Sequence, residues 1–494
     1  MTGRFSRRSI LGGLGSALAG AAWADAPTRS LRPVGRAGTV APEVAGPDYA
    51  TTINDAGLSG NVGVAIGTVN EPGQPLLGTG GAQLLPPASV AKMLTAVYAI
   101  GSLGSEHRFV TRVLARGEIV DGVLEGDLIL AGGGDPHLAT DDLARIAERL
   151  RDEGLREVRG RFLVWEGALP VVRSIDPSQL AHVGYSPAVS GLNLNFNRVH
   201  FEWRPNAAGY SVTMDARSDT RRPDVTMATM QIADRDIPVY TYSDGGGVDN
   251  WTVAKGALGE GGARWLPVRY PALYAADVFR TVCAAAGIKM PAGRISADQP
   301  AGRPLVLYPS PPLSEIVAEM LKYSTNLTAE AIGMAASVAN QGVVRDLPDS
   351  ARAMARWLVR RYGVAARLVD HSGLGDASRL TANGLVRFLS SAEVAQMLRP
   401  VLKPIYVLDG QGRSIQTHRA ALVAKTGTLD FVAGLAGYIE TPTAGLRAFA
   451  IFAADLARRE VAKAEGEEVS RGARSWNGRA RRLQQKFIAQ WADQ

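Results

Sequence analysis

The sequence predicts an α/β sandwich that is interrupted by a large inserted β-rich region. Strand-like segments occur near both ends of the chain, each end also carries helical segments, and residues 105–299 between them have a different, turn-rich character. Strands flanked by helices from both ends of a chain form one layered core. A chain of 494 residues also exceeds what a single hydrophobic core supports, so we expect more than one domain.

The first part of the sandwich is predicted at 49–104. A short helix at 49–58 precedes a strand at 61–69, in which apolar and other residues alternate. A second strand near Leu76 ends in a Gly-Gly loop. Residues 89–100 then show helical periodicity with almost no polar face, which predicts a buried helix.

The inserted region and the second part of the sandwich follow. At 105–299 the sequence predicts strands at 109–115, 124–131 and 161–165, helices at 139–151 and 273–287, and β-rich stretches from 196 to 242. At 300–494 it predicts helices at 313–337 and 349–361, strands at 421–426, 433–439 and 446–452, and a terminal helix at 475–491.

The composition is that of an ordinary globular protein, with 46% hydrophobic and 20% charged residues. A net charge of +7 suits an anionic polymer, but a solvated surface explains it as well, and we prefer the solvated surface. Basic and aromatic residues form no nucleic-acid-binding motif, so no nucleic-acid partner is expected. The six histidines are scattered without a zinc-binding pair, and we expect no metal and no cofactor. The single cysteine, Cys283, has apolar neighbours, which predict a buried structural residue.

Residues 1–26 are predicted to form a cleaved signal peptide. Arg4, Arg7 and Arg8 precede an apolar run that is too short and too rich in glycine to span a bilayer, and small residues follow it. The adjacent arginines also resemble a twin-arginine export signal, although the same charges serve the general secretory route. A linker rich in Pro, Gly and Ala follows at 27–48. We expect a mature chain outside the cytoplasm with no integral membrane segment.

Ser89 and Lys92 form the central motif, Ser-Val-Ala-Lys. Three residues apart on a helix, the hydroxyl and the amine share one face and can form a hydrogen bond. Burial lowers the preference of an amine for its charged form, and a neutral amine can accept the serine proton. The pattern alone is weak. However, Ser89 is the only serine of this chain with a lysine three residues later, and it opens the most apolar predicted helix.

Lys425-Thr426-Gly427-Thr428 ends an apolar, strand-like run. An edge strand there could bind an extended peptide, and the amine and a threonine hydroxyl could hold the peptide carboxylate. Gly427 would allow a ligand or a second backbone to come close. An exposed lysine before a turn would explain this motif if it stood alone.

Ser324-Thr325-Asn326 lies between the other two motifs, in the predicted connection 321–329. A hydroxyl and an amide that reach into a cleft could relay a proton and hold a substrate amide. Both residue types also favour helix N-caps, so this short pattern discriminates poorly by itself.

The three motifs, in this order, resemble those of the penicillin-binding D-alanyl-D-alanine carboxypeptidases and DD-endopeptidases, which are low-molecular-mass class C proteins of serine peptidase family S13. Further family-like stretches occur at 126–128, 132–136, 190–193 and 370–374. The family carries extra domains between the first two motifs, which fits the long interval from Lys92 to Ser324. Two positions depart from it: His371, where relatives usually carry glycine, and Thr325, where they usually carry an acidic residue.

The resemblance implies a penicillin-binding transpeptidase-like (serine β-lactamase-like) α/β sandwich and an exported, periplasmic serine-type carboxypeptidase. Its substrates would be peptidoglycan stem peptides, and β-lactams would inhibit it covalently. The roles that it implies are Ser89 as the nucleophile that forms an acyl-enzyme, Lys92 as its base, Ser324 as the donor that returns a proton to the leaving amine, Asn326 as the residue that orients the substrate amide, and Lys425, Thr426, Gly427 and Thr428 as the site of its carboxylate end. The sequence leaves open the oligomeric state and the balance between trimming D-alanine and cutting cross-links.

Two other classes of protein share parts of this pattern. A β-lactamase or esterase of the same fold would share the first half of the chemistry. Class A β-lactamases deacylate through a glutamate that lies between the second and third motifs and is followed by asparagine four residues later. In this chain that interval contains only Glu330 and Glu393, and neither has an asparagine four residues later. A non-catalytic cell-wall binding or sensor protein is the second alternative, but all three motifs retain their reactive side chains.

Overall fold

The computed structural model describes residues 48–71, 76–408, 413, 420–466, 468 and 470–494. The predicted signal peptide and all of the predicted linker except residue 48 lie outside the described residues. The described strands are β1 (Asn61–Thr68), β2 (Leu77–Thr79), β3 (Val110–Val120), β4 (Val123–Ala131), β5 (Glu157–Val158), β6 (Phe162–Trp165), β7 (Arg198–Asn206), β8 (Gly209–Asp215), β9 (Ala228–Ala233), β10 (Tyr240–Asp244), β11 (Asp249–Ala254), β12 (Gly262–Pro267), β13 (Gly293–Ile295), β14 (Arg303–Pro309), β15 (Lys403–Pro404), β16 (Ala421–Leu429), β17 (Val432–Thr441) and β18 (Gly445–Ala454).

The described α-helices are α1 (Tyr49–Asn54), α2 (Lys92–Leu103), α3 (Thr140–Asp152), α4 (Pro271–Ala285), α5 (Leu313–Tyr323), α6 (Asn326–Gln341), α7 (Leu347–Tyr362), α8 (Ala382–Leu389), α9 (Ala392–Leu398), α10 (Leu456–Glu465) and α11 (Ala473–Ala492). Short 3-10 helices occur at Ala88–Ala91, Asn195–Asn197, Lys255–Ala257 and Arg399–Val401. In the part of the chain that the structure describes, none of the helices combines the length and the apolar character needed to cross a membrane.

The sheet that carries the predicted site has the strand order β15-β16-β17-β18-β1-β2, and each neighbouring pair is antiparallel. β1 comes from the N-terminal part of the chain and lies between β2 and the C-terminal strand β18. Val64 and Ile66 belong to the core on one face of β1, whereas Ala65 belongs to the core on the other face, as strand alternation requires. The sheet therefore unites the two predicted parts of the sandwich.

Helices cover both faces of this sheet. On one face α11 buries Trp476, Phe487 and Trp491 in a core with strand residues such as Ile451. On the other face α2 and the helices α5 to α9 bury a larger core, which includes Tyr98. Two helical layers around one sheet form an α/β sandwich, as the sequence predicts.

The residues between α2 and α5 form a hydrophobic core of their own. A second six-stranded sheet contains β13-β6-β4-β3-β14 with β5 beside β4, and two three-stranded sheets have the orders β12-β7-β8 and β10-β11-β9. Phe162, Trp251 and Phe279 are buried among them, and the predicted burial of Cys283 is confirmed. Strand β14 pairs with β3 although it follows residue 299. The division of the chain into 49–104, 105–299 and 300–494 stays a prediction.

Two local elements differ from the sequence-based expectation. The predicted helix 313–337 is broken, because α5 ends at Tyr323 and α6 begins at Asn326. Ser324 at the break has a left-handed backbone, with φ 60° and ψ 36°, which ends α5. Ser89 lies in the 3-10 turn before α2 and not in the α-helix itself. Helical periodicity hardly changes across such short breaks, so the residue pattern does not reveal them.

Candidate active site

Ser89 and Lys92 meet where the 3-10 turn passes into α2. The Lys92 Nζ atom donates a hydrogen bond to the Ser89 Oγ atom over 2.9 Å. Lys92 is fully buried, whereas Ser89 is half-buried and lines the cleft described below. The turn is held in an unusual conformation, since Ala88 has a φ of 46°. The predicted pairing of the hydroxyl and the amine is therefore present in the folded chain.

The Lys92 amine has two more acceptors besides Ser89. Its Nζ atom donates to the Asn326 Oδ1 atom over 2.8 Å and to the Ser372 carbonyl oxygen over 2.9 Å. Burial lowers the pKa of Lys92 to about 8, and the nearby carboxyl groups of Glu330 and Asp370 oppose this shift. A lysine with this pKa exists partly as the neutral amine near neutral pH, which a general base requires.

Glu330 and Asp370 are buried carboxyl groups that sequence reasoning did not assign to the site. Glu330 accepts hydrogen bonds from the backbone N–H groups of His371 and Ser372, at 2.8 and 2.9 Å. Asp370 accepts from the backbone N–H of Gly373 at 3.0 Å. Burial raises the pKa of both carboxyl groups. Together they fix the loop that presents the Ser372 carbonyl to Lys92, and the family-like stretch 370–374 was the only sequence signal for this role.

His371, the position that departs from the family pattern, is accommodated by Gly333 on α6. A Cβ atom on Gly333 would overlap the imidazole ring, so only glycine leaves room for it. The His371 Nε2 atom lies 2.7 Å from the Ser350 Oγ atom, and that hydroxyl lies 2.8 Å from the Ser337 Oγ atom. Burial lowers the pKa of His371 to about 3, which keeps the ring neutral.

Lys425 and Ser324 form a second lysine–serine pair. The Lys425 Nζ atom donates to the Ser324 Oγ atom over 2.9 Å and to the Thr426 carbonyl oxygen over 2.7 Å. Burial, together with the nearby ammonium groups of Lys92 and Lys403, lowers the pKa of Lys425 to about 7. The break between α5 and α6 positions the Ser324 hydroxyl for this contact.

Strand β16 places the rest of the third motif beside the 3-10 turn that carries Ser89. A Cβ atom on Gly427 would lie 2.9 Å from the Pro87 carbonyl oxygen and 3.0 Å from the Ser89 nitrogen, so glycine permits this close approach. Thr428 is exposed and lines the cleft. Thr426 is also exposed but is not among the residues that line the cleft.

The edge of β16 is open along the motif. β15 pairs with β16 only at Val423 and Ala424, and no described strand pairs with this edge of β16 from Lys425 to Leu429. The carbonyl and N–H groups of an open strand edge can bind an extended peptide by strand addition.

Asn326, the first residue of α6, connects the two cores. Its Oδ1 atom accepts from Lys92, and its Nδ2 atom donates to the Tyr185 carbonyl oxygen over 2.9 Å. Tyr185 lies in the loop between β6 and β7, and no residue pattern indicates that this loop reaches the site. The amide of Asn326 therefore links the catalytic lysine candidate to a second wall of the cleft.

A cleft of about 370 Å³ opens in front of these groups. Ser89, Ser324, Asn326 and Thr428 line it from the sandwich, together with residues that include Tyr185, Gly373, Arg459, Lys463 and Glu468. A peptide bond can reach the Ser89 hydroxyl from this side, and the two buried amines lie behind it. Arrangements of a serine hydroxyl, an amine of lowered pKa and a second hydroxyl carry out acyl transfer in proteins.

The fold matches that of a solved penicillin-binding protein. Penicillin binding protein 4 (dacB) from Haemophilus influenzae superimposes with a TM-score of 0.72, covering 89% of this chain and 99% of that chain at 19% sequence identity. The likeness confirms the predicted fold class, an α/β sandwich of the penicillin-binding, serine β-lactamase-like type.

The family follows from the sequence comparison. The model of the D-Ala-D-Ala carboxypeptidase 3 (S13) family matches residues 48–474, and the chain therefore belongs to this family. A D-alanyl-D-alanine carboxypeptidase from an Actinomadura species is 27% identical over 446 residues, which are 82% of this chain and 80% of that protein. D-alanyl-D-alanine carboxypeptidase DacB from Haemophilus influenzae is 24% identical over 408 residues, which are 77% of this chain and 82% of that protein. The predicted enzyme class, a serine-type D-Ala-D-Ala carboxypeptidase, is confirmed.

Proposed function

We propose that this carboxypeptidase works through an acyl-enzyme on Ser89, with Lys92 as the general base. The observation that carries the proposal is the 2.9 Å contact between the Nζ atom of the fully buried Lys92 and the Ser89 Oγ atom, which faces the cleft. The Oγ atom attacks the carbonyl carbon of the penultimate D-alanine while its proton passes to the neutral Lys92 amine. The backbone N–H groups of Ser89 and Thr428 are the proposed oxyanion hole.

Collapse of the tetrahedral intermediate breaks the peptide bond. The leaving amine takes a proton from the Ser324 hydroxyl, which the proton that Lys92 took from Ser89 then replaces, while the Lys425 Nζ atom holds the Ser324 Oγ atom in place over 2.9 Å. Lys92 is then neutral again. Water attacks the acyl ester of Ser89, and Lys92 accepts the proton of this water molecule and passes it to the departing Ser89 oxygen. The net reaction adds one water molecule and releases D-alanine.

The substrate ends are held by the second and third motifs. Lys425, with the hydroxyl groups of Thr426 and Thr428, is proposed to bind the terminal carboxylate, and Gly427 allows the peptide to approach the strand edge. Asn326 is proposed to orient the substrate amide. Lys425 binds a carboxylate in its protonated form, and the bound carboxylate in turn raises the pKa of the Lys425 amine.

The natural substrate is proposed to be the stem peptide of peptidoglycan, either at a D-Ala–D-Ala terminus or at a D-Ala cross-link. The active site presents one acyl-accepting serine to both bonds, so endopeptidase and carboxypeptidase activities use the same groups. β-Lactams are proposed to acylate Ser89, because a complex of the Haemophilus influenzae protein with a β-lactam superimposes with a TM-score of 0.68.

The location is proposed to be the periplasm, after export and removal of residues 1–26. Arg4, Arg7 and Arg8 with the apolar run that follows support an export signal. N-terminal sequencing of the exported protein tests this, and an intact Met1 on the mature enzyme would refute it.

The decisive experiment on the mechanism is intact-protein mass measurement with penicillin, combined with digestion of purified muropeptides. We expect one covalent penicillin adduct on the wild type and none on Ser89→Ala. We also expect the wild type to release D-alanine from pentapeptides. A full adduct on Ser89→Ala would overturn the nucleophile, and rapid turnover of penicillin without peptide hydrolysis would favour a β-lactamase.

A further inference from the structure

A second cavity, of about 180 Å³, adjoins the active-site cleft. It shares Tyr185, Ser324 and Asn326 with the cleft, and its remaining walls include Phe196 and Arg198. Among the described residues that line it there is no aspartate or glutamate, and Arg198 is the only lysine or arginine. The cavity thus carries a positive charge. The residues Ser324 and Asn326 lie between it and the part of the cleft that contains Ser89.

The Arg198 side chain has no carboxylate partner among the described residues. It forms no ion pair and no side-chain hydrogen bond with any described residue, and its Nε atom is buried. By contrast, the buried guanidinium of Arg269 donates to three backbone carbonyl groups, and that of Arg459 pairs with Asp376. Burial lowers the pKa of Arg198 from its usual value. A largely buried cation without an anionic partner is costly, and a bound anion would offset this cost.

Aromatic rings hold the guanidinium in place. Its Cζ atom lies 5.4 Å from the centroid of the Phe196 ring and 5.5 Å from that of Trp265. Gly184 lies beside this side chain, and a Cβ atom added there would lie 3.5 Å from the Arg198 Cδ atom. These contacts leave the guanidinium few alternative positions.

The backbone before Arg198 is strained. Asn195, Phe196 and Asn197 have φ values of 49°, 56° and 50°, which non-glycine residues rarely adopt. Side-chain hydrogen bonds of the two asparagines stabilise this turn: the Asn195 Oδ1 atom accepts from the Thr140 nitrogen, and the Asn197 Nδ2 atom donates to the Ala188 carbonyl. Strain of this kind persists only where the surrounding contacts hold the backbone in place, and such residues cluster at functional sites.

One wall of the cavity carries a second polar group without a partner. The Thr325 Oγ1 atom is buried and forms no hydrogen bond, although Thr325 is the N-cap residue of α6. Because this position is a neutral threonine, it supplies no carboxylate that could neutralise Arg198.

We propose that this cavity binds a carboxylate group of the peptide substrate other than the terminal carboxylate assigned to Lys425. A guanidinium binds a carboxylate through two parallel N–H···O hydrogen bonds, a geometry that an ammonium group does not reproduce. The proposal rests on the proposed function, because the peptide must lie in the cleft with Ser89 for its other carboxylates to reach Arg198. The carboxylate belongs either to the stem peptide that acylates Ser89 or to the peptide that leaves as the amine.

Synthetic peptides test the proposal with the full mature enzyme. The substrates are pentapeptides ending in D-Ala–D-Ala, with each internal carboxylate either free or converted to an amide, and the corresponding cross-linked dimers. The variants are Arg198→Gln, Arg198→Lys and the matched control Arg204→Gln, which removes an exposed arginine from the same strand β7. Penicillin acylation is measured in parallel, because penicillin carries a single carboxylate and should not need the cavity.

We expect Arg198→Gln to lower kcat/KM about tenfold to a hundredfold on one peptide with a free carboxylate. The same substitution should have no effect on the amidated peptide, Arg198→Lys should retain part of the activity, and Arg204→Gln should match the wild type. A loss on the pentapeptide places the carboxylate on the stem peptide that acylates Ser89, and a loss confined to the dimer places it on the peptide that leaves as the amine.

Equal losses on free and amidated peptides, or no loss on any of them, would overturn the proposal. If Arg198→Gln also loses penicillin acylation, the substitution has disturbed the active site as a whole. The comparison of free and amidated peptides in Arg198→Lys then shows whether the cavity recognises a carboxylate. A wild-type enzyme that acylates with penicillin yet cleaves none of the peptides contradicts the proposed function instead.

Discussion

The Lys92 Nζ atom donates to the backbone carbonyl oxygen of Ser372 over 2.9 Å, although the two residues are 280 positions apart in the chain. This contact depends on the buried carboxyl group of Glu330, which accepts from the backbone N–H of the same Ser372. Lys92, the proposed general base, is thus held by a loop whose conformation is set by a carboxyl group on α6. The titration of Lys92 should respond to that carboxylate.

Glu330→Gln should move the acidic limb of the penicillin acylation profile to lower pH, by up to about one unit. Burial raises the pKa of Glu330 to about 8, so its negative charge develops as the pH rises toward that value and then favours the ammonium form of Lys92. Removal of this charge lowers the pKa of Lys92, and the neutral amine persists to lower pH. Acylation rates measured from pH 5 to 9 check this. Glu315→Gln, an exposed substitution on α5, should leave the limb unchanged. An upward shift in Glu330→Gln would contradict the assigned coupling.

Substrate binding should weaken as the pH rises through about 7, because the pKa of Lys425 lies there and its neutral amine binds a carboxylate poorly. Lys425→Arg should flatten the pH dependence of KM, since a guanidinium stays charged. Lys403→Ala removes a cation that lowers the pKa of Lys425, so the rise in KM should move to higher pH. Lys403→Arg is the control that keeps this charge. An unchanged profile in Lys403→Ala would argue against the electrostatic effect.

Gly427→Ala should lower the acylation rate at least tenfold and reduce the free energy of unfolding by about 1–3 kcal/mol. The new methyl group would meet the Pro87 carbonyl oxygen and the Ser89 nitrogen, and it would push β16 away from the 3-10 turn that carries Ser89. Gly478→Ala on α11 is the matched control, because a Cβ atom there meets nothing closer than 3.8 Å. Urea unfolding and penicillin acylation measure the two effects. Normal acylation in Gly427→Ala would show that the close approach is dispensable.

His371→Gln should make the protein less sensitive to acid. The pKa of His371 is about 3 in the folded state, and that of an unfolded histidine is about 6.5. Between these values only the unfolded chain binds the proton, so this residue costs stability as the pH falls, by at most about 1.4 kcal/mol for each pH unit. The variant should lose this slope, while lost contacts to Ser350 reduce its stability at pH 7 by about 1–3 kcal/mol.

Urea unfolding of the His371→Gln variant and the wild type between pH 4 and 7 tests this dependence. His107→Gln serves as the control, because His107 is partly exposed and should change the slope much less. Parallel curves for His371→Gln and the wild type would contradict a buried neutral imidazole.

Much of the fold and the core of the candidate site could be predicted from sequence. The helices and strands around Ser89 and Lys425 have clear periodicity, and the family resemblance supplied the order of the three motifs. The roles given to those residues stay predictions, although the structure brings Ser89, Lys92, Ser324, Asn326 and Lys425 together.

The remaining features of the site depend on contacts between distant parts of the chain. Glu330 occupies an ordinary helical position, and only the folded chain brings it to the backbone of residues 371 and 372. Arg198 is one of many arginines, and its lack of a partner is visible only when its neighbours are known. The left-handed residue Ser324 interrupts an otherwise continuous helical pattern, which gives no sign of the break.

The position of β1 between β18 and β2 has a consequence for biosynthesis. β1 pairs with β18, so residues near position 61 must wait for residues near position 454 before the sheet can close. Pairing over such a separation is slow, and it leaves strand edges exposed in the nascent chain. The core between α2 and α5 contains only residues made earlier and can form first. A truncated chain that ends before β16 would carry Ser89 and Lys92 without the strand that completes their site, which makes hydrolytic activity a property of the finished polypeptide.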